Sequence, residues 1–154
     1  RWYTAVQGPP EAAPGTCLIE VVAAAGRFSA GSRRGAPLNL LIAEDDRALR
    51  QMLCWEFEEM GYRVITAASC GDAISAVGDH KVDIALIDYN LPDGVGTDLL
   101  RTLRLAAPYL PAVVCSGRAS RGIAAEVGGL GTARFVAKPV AATRLHAIFR
   151  NLLD

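Results

Sequence analysis

Five side chains in this sequence, Glu44, Asp45, Asp88, Ser116 and Lys138, could do chemistry together. Glu44, Asp45 and Asp46 stand side by side at the end of the apolar run "LLIA", residues 40–43. Asp88 ends a second such run in "ALIDYNLPDGVG", Ser116 a third in "VVCSG", and Lys138 a fourth in "FVAKP". Adjacent carboxylates repel one another unless something positive is brought among them. A hard divalent cation does this, and Mg²⁺ suits a few carboxylates together with water and a phosphate. A lysine and a hydroxyl beside such an ion suit an anion with several oxygens. The chemistry implied is phosphoryl transfer onto, or through, a carboxylate.

That chemistry requires the four apolar runs to end at one place. The periodicity predicts strands at Leu38–Ala43, Tyr62–Ala67, Val82–Ile87, Pro111–Cys115 and Ala133–Ala137. Helices are predicted between and after them. The first, Arg47–Met60, carries Leu49, Met52, Leu53, Phe57 and Met60 on one stripe, and Gly61 stops it. The others are Ser69–Val77, with Ser69 as cap and Asp72 three residues on, then Thr97–Ala107, Ser120–Val127 and Val140–Leu153. Strands that alternate with helices and are almost wholly apolar imply a parallel sheet covered on both faces. Right-handed crossovers make it a doubly wound sandwich, whose sites form at the carboxyl ends of the strands. Glu44, Asp45, Asp88, Ser116 and Lys138 all fall at such ends.

The remaining composition narrows the function. Basic and acidic residues balance at 16 each, so no net field recruits nucleic acid or an anionic membrane. No apolar run approaches the roughly 18 residues of a membrane span. Cys17, Cys54, Cys70 and Cys115 are irregularly spaced, which argues against a zinc site and fits a reducing cytoplasm. Cys54 and Cys115 read as small buried hydrophobes. His80 and His146 read as structural, Arg118 and Arg121 as flanking the fourth strand end, and Trp55 as lying off the main stripe of its helix. Asp46 reads as the cap of the first helix rather than a ligand.

Residues 38–153 resemble a response-regulator receiver domain of bacterial two-component signalling. "AEDD" resembles the family's acidic pair, "LIDYNLPDGVG" its phosphoacceptor loop, "VVCSG" its switch Ser/Thr strand and "AKPV" its Lys-Pro step. The spacings agree: 43 residues from Asp45 to Asp88, 28 to Ser116 and 22 to Lys138. The resemblance implies a flavodoxin-like five-stranded parallel sheet in order 2-1-3-4-5. It also implies that Asp88 accepts the phosphoryl group, that Asp45 ligates Mg²⁺ directly and Glu44 through water, and that the Asn90 backbone carbonyl completes the metal site. Ser116 and Lys138 would bond phosphoryl oxygens, Ser116 and the aromatic Phe135 would act as switch residues, and the Lys138–Pro139 bond would be cis. The implied donor is a histidine kinase or a histidine phosphotransfer protein. Self-association is possible for such a domain; direct binding of nucleic acid or membrane is not expected.

Other classes fit less well. A haloacid-dehalogenase-type phosphatase, also built on an Asp nucleophile and Mg²⁺, carries its nucleophile on the first strand, not the third. A flavodoxin-like cofactor binder needs a Gly/Ser/Thr-rich phosphate loop where this chain has acids. A degenerate receiver would lack Asp88 or Lys138. The expected role is therefore a phosphoacceptor that catalyses its own phosphorylation, not a turnover enzyme.

The first 37 residues differ in texture, with 17 Gly, Ala or Pro, and a boundary is placed at Pro37 between this segment and a receiver at 38–154. "RWYTAV", "GPP" and "GTCLIE" resemble the end of an HWE-type histidine-kinase ATP-binding domain, through Trp2, Gly8, Pro9, Pro10, Gly15, Thr16, Leu18, Ile19 and Glu20. On that resemblance the chain is the receiver end of a hybrid kinase. The alternatives are a linker and a stand-alone single-domain regulator.

Overall fold

A computed structural model describes residues 35–118 and 120–154. Most of the N-terminal segment, with its resemblance to a kinase remnant, lies outside the described residues. The described chain runs β1 (Asn39–Ala43), α1 (Arg47–Glu59), β2 (Arg63–Ala67), α2 (Cys70–Asp79) and β3 (Ile84–Asp88). A small hairpin of β4 (Asn90–Leu91) and β5 (Gly94–Val95) follows, then α3 (Gly96–Ala106), β6 (Ala112–Ser116), α4 (Arg121–Gly128), β7 (Ala133–Ala137) and α5 (Ala142–Leu153). The main sheet is ordered β2-β1-β3-β6-β7 with every pair parallel. Counted by the strands of that sheet, this is the expected order 2-1-3-4-5.

Alternation along the strands divides the core in two. Leu40, Ile42, Val64, Leu86 and Val113 face one side, where Leu53 and Phe57 of α1 and Leu145 and Phe149 of α5 cover them. Leu41, Ile65, Ala85, Ile87 and Val114 face the other, beneath Leu99, Leu100 and Leu103 of α3 and Val127 of α4. Aromatic contacts join α1 to α5: Phe57 and Phe149 stack with ring centres 5.4 Å apart. The Tyr62 hydroxyl and His146 Nδ1 share a 2.7 Å hydrogen bond, which gives His146 its structural role.

Local chemistry sets the element ends. Asp46 caps α1, its Oδ1 accepting the Leu49 N–H at 2.9 Å. Gly61 then turns the chain at φ 93°, a conformation that costs a residue with a Cβ more than it costs glycine. Ser69 caps α2 through the Asp72 N–H at 3.1 Å.

Three expectations are corrected, and one element is added. β3 begins at Ile84 rather than Val82, because the Asp83 carboxylate accepts the Asn39 N–H at 2.8 Å and pins the chain ahead of the strand. α5 begins at Ala142 rather than Val140, because Ala141 is still extended, with ψ 145°. Met52, expected on the inward stripe of α1, is 46% exposed, since Leu53 and Phe57 fill the space against α5. The β4–β5 hairpin was not expected, since two-residue strands carry no readable period.

Candidate functional site

The acidic turn follows β1 directly. The Glu44 N–H donates to the Ala67 carbonyl at 3.0 Å, extending the ladder to β2 by one residue beyond the strand. This holds the Glu44 side chain at the sheet end, 4% exposed. The Asp46 N–H donates to Glu44 Oε1 at 3.1 Å. Arg50, one turn into α1, donates from Nη1 to the carbonyls of Glu44 at 2.7 Å and Asp45 at 3.3 Å. Arg50 thus braces the turn through its backbone, and nothing about it in the sequence announces that role. Asp45 projects to solvent.

Asp88 is the last residue of β3 and is buried. Its Oδ1 accepts the Asn90 N–H at 3.2 Å. The loop beyond it folds back, with the Gly96 N–H on the Tyr89 carbonyl at 2.7 Å. A Cβ on Gly96 would lie 2.5 Å from the Asp88 carbonyl oxygen, so a side chain there would displace the acid's own backbone. Ser116 ends β6 fully buried, and its Oγ accepts the Arg118 N–H at 3.1 Å. The Lys138 N–H donates to the Ser116 carbonyl at 2.8 Å, which keeps the ends of β6 and β7 side by side. The Lys138–Pro139 peptide is cis. Phe135, three residues back on β7, is half-buried against the α3/α4 side of the core.

The Lys138 ammonium spans the centre. Its Nζ lies 2.6 Å from Glu44 Oε2 and 3.2 Å from Asp88 Oδ2. Burial raises the Glu44 carboxyl above the usual carboxylate range, against the opposing pull of the Lys138 and Asp46 hydrogen bonds. Burial by itself would lower Lys138, yet its bond to Glu44 and the charges of Glu44 and Asp88 leave it raised. Burial also pushes the Cys115 thiol up to about 12, so it packs beside the site as a neutral group.

One oxygen each from Glu44, Asp45 and Asp88 can be chosen so that all three lie within 4.8 Å of one another. Three carboxylates against one ammonium leave a deficit of two positive charges. Oxygen donors gathered with that deficit fit a hard divalent cation such as Mg²⁺. A cleft of about 460 Å³ is lined by Glu44, Asp88 and Lys138 together with Leu49, Met52, Val140 and Leu145. The structure therefore brings Glu44, Asp45, Asp88 and Lys138 to one point and sets Ser116 on the adjoining strand end. Asn90 meets Asp88 through its backbone, and Phe135 stands back from the cluster.

Comparison with known proteins gives this geometry a family. The response regulator receiver domain model matches residues 40–150. The cell cycle response regulator CtrA of Brucella ovis is 34% identical over 120 residues, covering 74% of this chain and 51% of the relative. The chain thus spans about half the length of the curated relatives it matches. A CheY-like receiver domain protein from Methanospirillum hungatei is 28% identical with a TM-score of 0.71, covering 77% of this chain and 94% of that one. A Burkholderia pseudomallei response regulator, solved with a phosphorylated aspartic acid, a calcium ion and citrate, is 25% identical with a TM-score of 0.68, covering 72% of this chain and 65% of that one. With five parallel strands in CheY-type order and acids at their ends, this chain belongs to the response-regulator receiver domain family.

Proposed function

We propose that this domain accepts a phosphoryl group from phosphohistidine onto Asp88, in a Mg²⁺-dependent step that the domain itself promotes, and that it thereby changes its affinity for partners. The observation that carries this reading is the placement of Asp88 within reach of Lys138 and inside the carboxylate cluster. The phosphorylated aspartic acid and divalent ion held by the Burkholderia pseudomallei relative add support.

The transfer is a displacement at phosphorus. An Asp88 oxygen forms the new P–O bond as the P–N bond to the donor imidazole breaks, and the bonding pair returns to the ring nitrogen. Bound Mg²⁺, held by Asp45 and Asp88, by Glu44 through water and by the Asn90 carbonyl, would supply the positive charge that lets phosphoryl and carboxylate oxygens approach. Lys138 supplies one further positive charge at the oxygens where negative charge gathers. The Ser116 hydroxyl would follow the acquired phosphoryl group, and Phe135 on the next strand would respond to it as the second switch residue. We assign the cleft lined by Asp88, Leu49, Met52 and Val140 as the route by which an imidazole-bearing donor, from a histidine kinase or a phosphotransfer protein, would reach the acid.

We read the domain further as the receiver end of a hybrid histidine kinase, on the strength of the resemblance of residues 1–37 to the end of an HWE-type ATP-binding domain. Sequencing the genomic DNA upstream of Arg1 tests that part; an in-frame stop with no kinase sequence overturns it. The phosphoacceptor reading is tested by incubating the chain with acetyl phosphate and Mg²⁺ and mapping the adduct by mass spectrometry. The adduct is expected on Asp88, absent with chelator and absent from Asp88→Asn; an adduct elsewhere, or one indifferent to chelator, refutes it.

A further inference from the structure

We infer that Asp93 is a positioning residue for the phosphoacceptor site, acting as a clamp that fixes the β4–β5 hairpin to the start of α2. The inference rests on the reading of Asp88 as a Mg²⁺-dependent phosphoacceptor. Asp93 stands in the turn of the hairpin, between the paired residues Leu91 and Gly94. Its two oxygens reach a different element: Oδ1 accepts the Cys70 N–H at 2.7 Å and Oδ2 accepts the Gly71 N–H at 3.0 Å. Cys70 and Gly71 are the first two residues of α2.

α2 does not need Asp93 in order to begin. Ser69 already provides its local cap by taking the Asp72 N–H. Asp93 takes two other amides left open at the positive end of the helix, from 23 and 22 residues away in sequence. Those two amides hold its carboxyl below the usual carboxylate range. What the bonds add is a fixed distance between two loops. The approach is close, because a Cβ on Gly94 would meet Cys70 Sγ at 3.1 Å.

Both ends of this link lead to the reacting groups. On one side the hairpin carries Asn90, whose N–H holds Asp88 Oδ1 and whose carbonyl would meet the metal under the proposed function. On the other, the turn into α2 follows Ala67, whose carbonyl anchors the Glu44 N–H. The clamp therefore closes a frame in which the acidic turn after β1, the turn after β2 and the phosphoacceptor loop hold one another. Without it the hairpin keeps two registered residue pairs, too few to hold a free tip steady. Groups that orient ligands from behind commonly change metal affinity by 10- to 100-fold when removed.

The test uses the chain as it is, with Mg²⁺ as titrant and acetyl phosphate as donor. Asp93→Ala, Asp93→Asn and Ser69→Ala are compared with wild type by calorimetric Mg²⁺ titration, by labelling rate across Mg²⁺ concentrations and by melting temperature. Asp93→Ala is expected to weaken Mg²⁺ binding about tenfold. Its labelling should be slow at low Mg²⁺ and mostly recovered at saturation. Asp93→Asn, which keeps one acceptor oxygen, should fall between. Ser69→Ala should lower the melting temperature and leave Mg²⁺ affinity unchanged. The clamp is overturned if Asp93→Ala binds Mg²⁺ as wild type does, or if Ser69→Ala weakens binding equally, which would reduce the effect to a loosened helix. A wild type that labels at Asp88 beside an unaffected Asp93→Ala removes the clamp alone; a wild type that neither binds Mg²⁺ nor labels removes both readings.

Discussion

Lys138 and Glu44 lie 94 residues apart in sequence and 2.6 Å apart in space. The contact joins the end of β7 to the turn after β1, across the end of β3 where Asp88 stands. The Lys138 side chain is 24% exposed and that of Glu44 is 5% exposed, so the acid is the desolvated partner. Removing the lysine strands a buried carboxylate, which costs more than an exposed ion pair could return. Lys138→Met is expected to lower stability in chelator by about 1–3 kcal/mol, measured by urea unfolding. Because Met leaves the acids with no ammonium, Mg²⁺ should then raise the unfolding midpoint more in the variant than in wild type. An equal Mg²⁺ response in the two proteins would show that lysine and cation do not share the same charge.

Asp45 answers to a different balance. It is exposed and stands beside two other acids, so in the absence of a cation it contributes repulsion and no hydrogen bond of its side chain offsets this among the described residues. Asp45→Ala should retain or gain stability in chelator while losing Mg²⁺ affinity by at least tenfold. Calorimetric titration and thermal melts on the same samples check both halves, and unchanged affinity would remove Asp45 from the ligand set.

Ser116 separates acceptance from response. Its hydroxyl is buried and is an acceptor for the Arg118 N–H, while its carbonyl takes the Lys138 N–H. Ser116→Ala removes only the first of these. The variant is expected to label at Asp88 to the same final extent, with smaller phosphorylation-induced changes in amide exchange over residues 116–118 and around Phe135. Identical exchange changes in wild type and variant would place the switch elsewhere.

The sheet and the principal acids were legible in the sequence for a physical reason. Strands buried on both faces leave unbroken apolar runs, and in a parallel sheet every run ends on the same edge. Glu44, Asp88, Ser116 and Lys138 are visible because each interrupts such a run at its end. Contacts between polar surface segments were not legible. Asp93 reads as an ordinary turn residue in "LPDG", and only the folded chain shows α2 lying across from it. Arg50 reads as a helix-surface cation, yet it binds the carbonyls of the acidic turn. Arg104 reads likewise, but its guanidinium gathers the carbonyls of Leu110, Leu130 and Thr132. Met52 shows the converse limit: helical period places it on the inward stripe, yet with Phe57 packed against Phe149 it stays 46% exposed.

One substitution made at two glycines should act in opposite directions. At Gly96 a Cβ would stand 2.5 Å from the Asp88 carbonyl oxygen and 3.0 Å from Ile87 Cγ2 and Tyr89 Cα. Two of these three contacts are backbone atoms of the phosphoacceptor strand and loop, which cannot rotate aside as a side-chain end can. Gly96→Ala is therefore expected to destabilise by about 2 kcal/mol or more, and to slow labelling of Asp88 because relief must come from moving that strand end. At Gly78, near the end of α2, a Cβ would meet nothing within 4 Å. Gly78→Ala should stabilise by about 0.5 kcal/mol, chiefly by restricting the unfolded chain, and leave labelling unchanged. Urea unfolding gives the two stabilities, and intact mass after acetyl phosphate gives the two rates. If Gly96→Ala proves as benign as Gly78→Ala, the close approach of α3 to the Asp88 carbonyl is not what holds the phosphoacceptor in place.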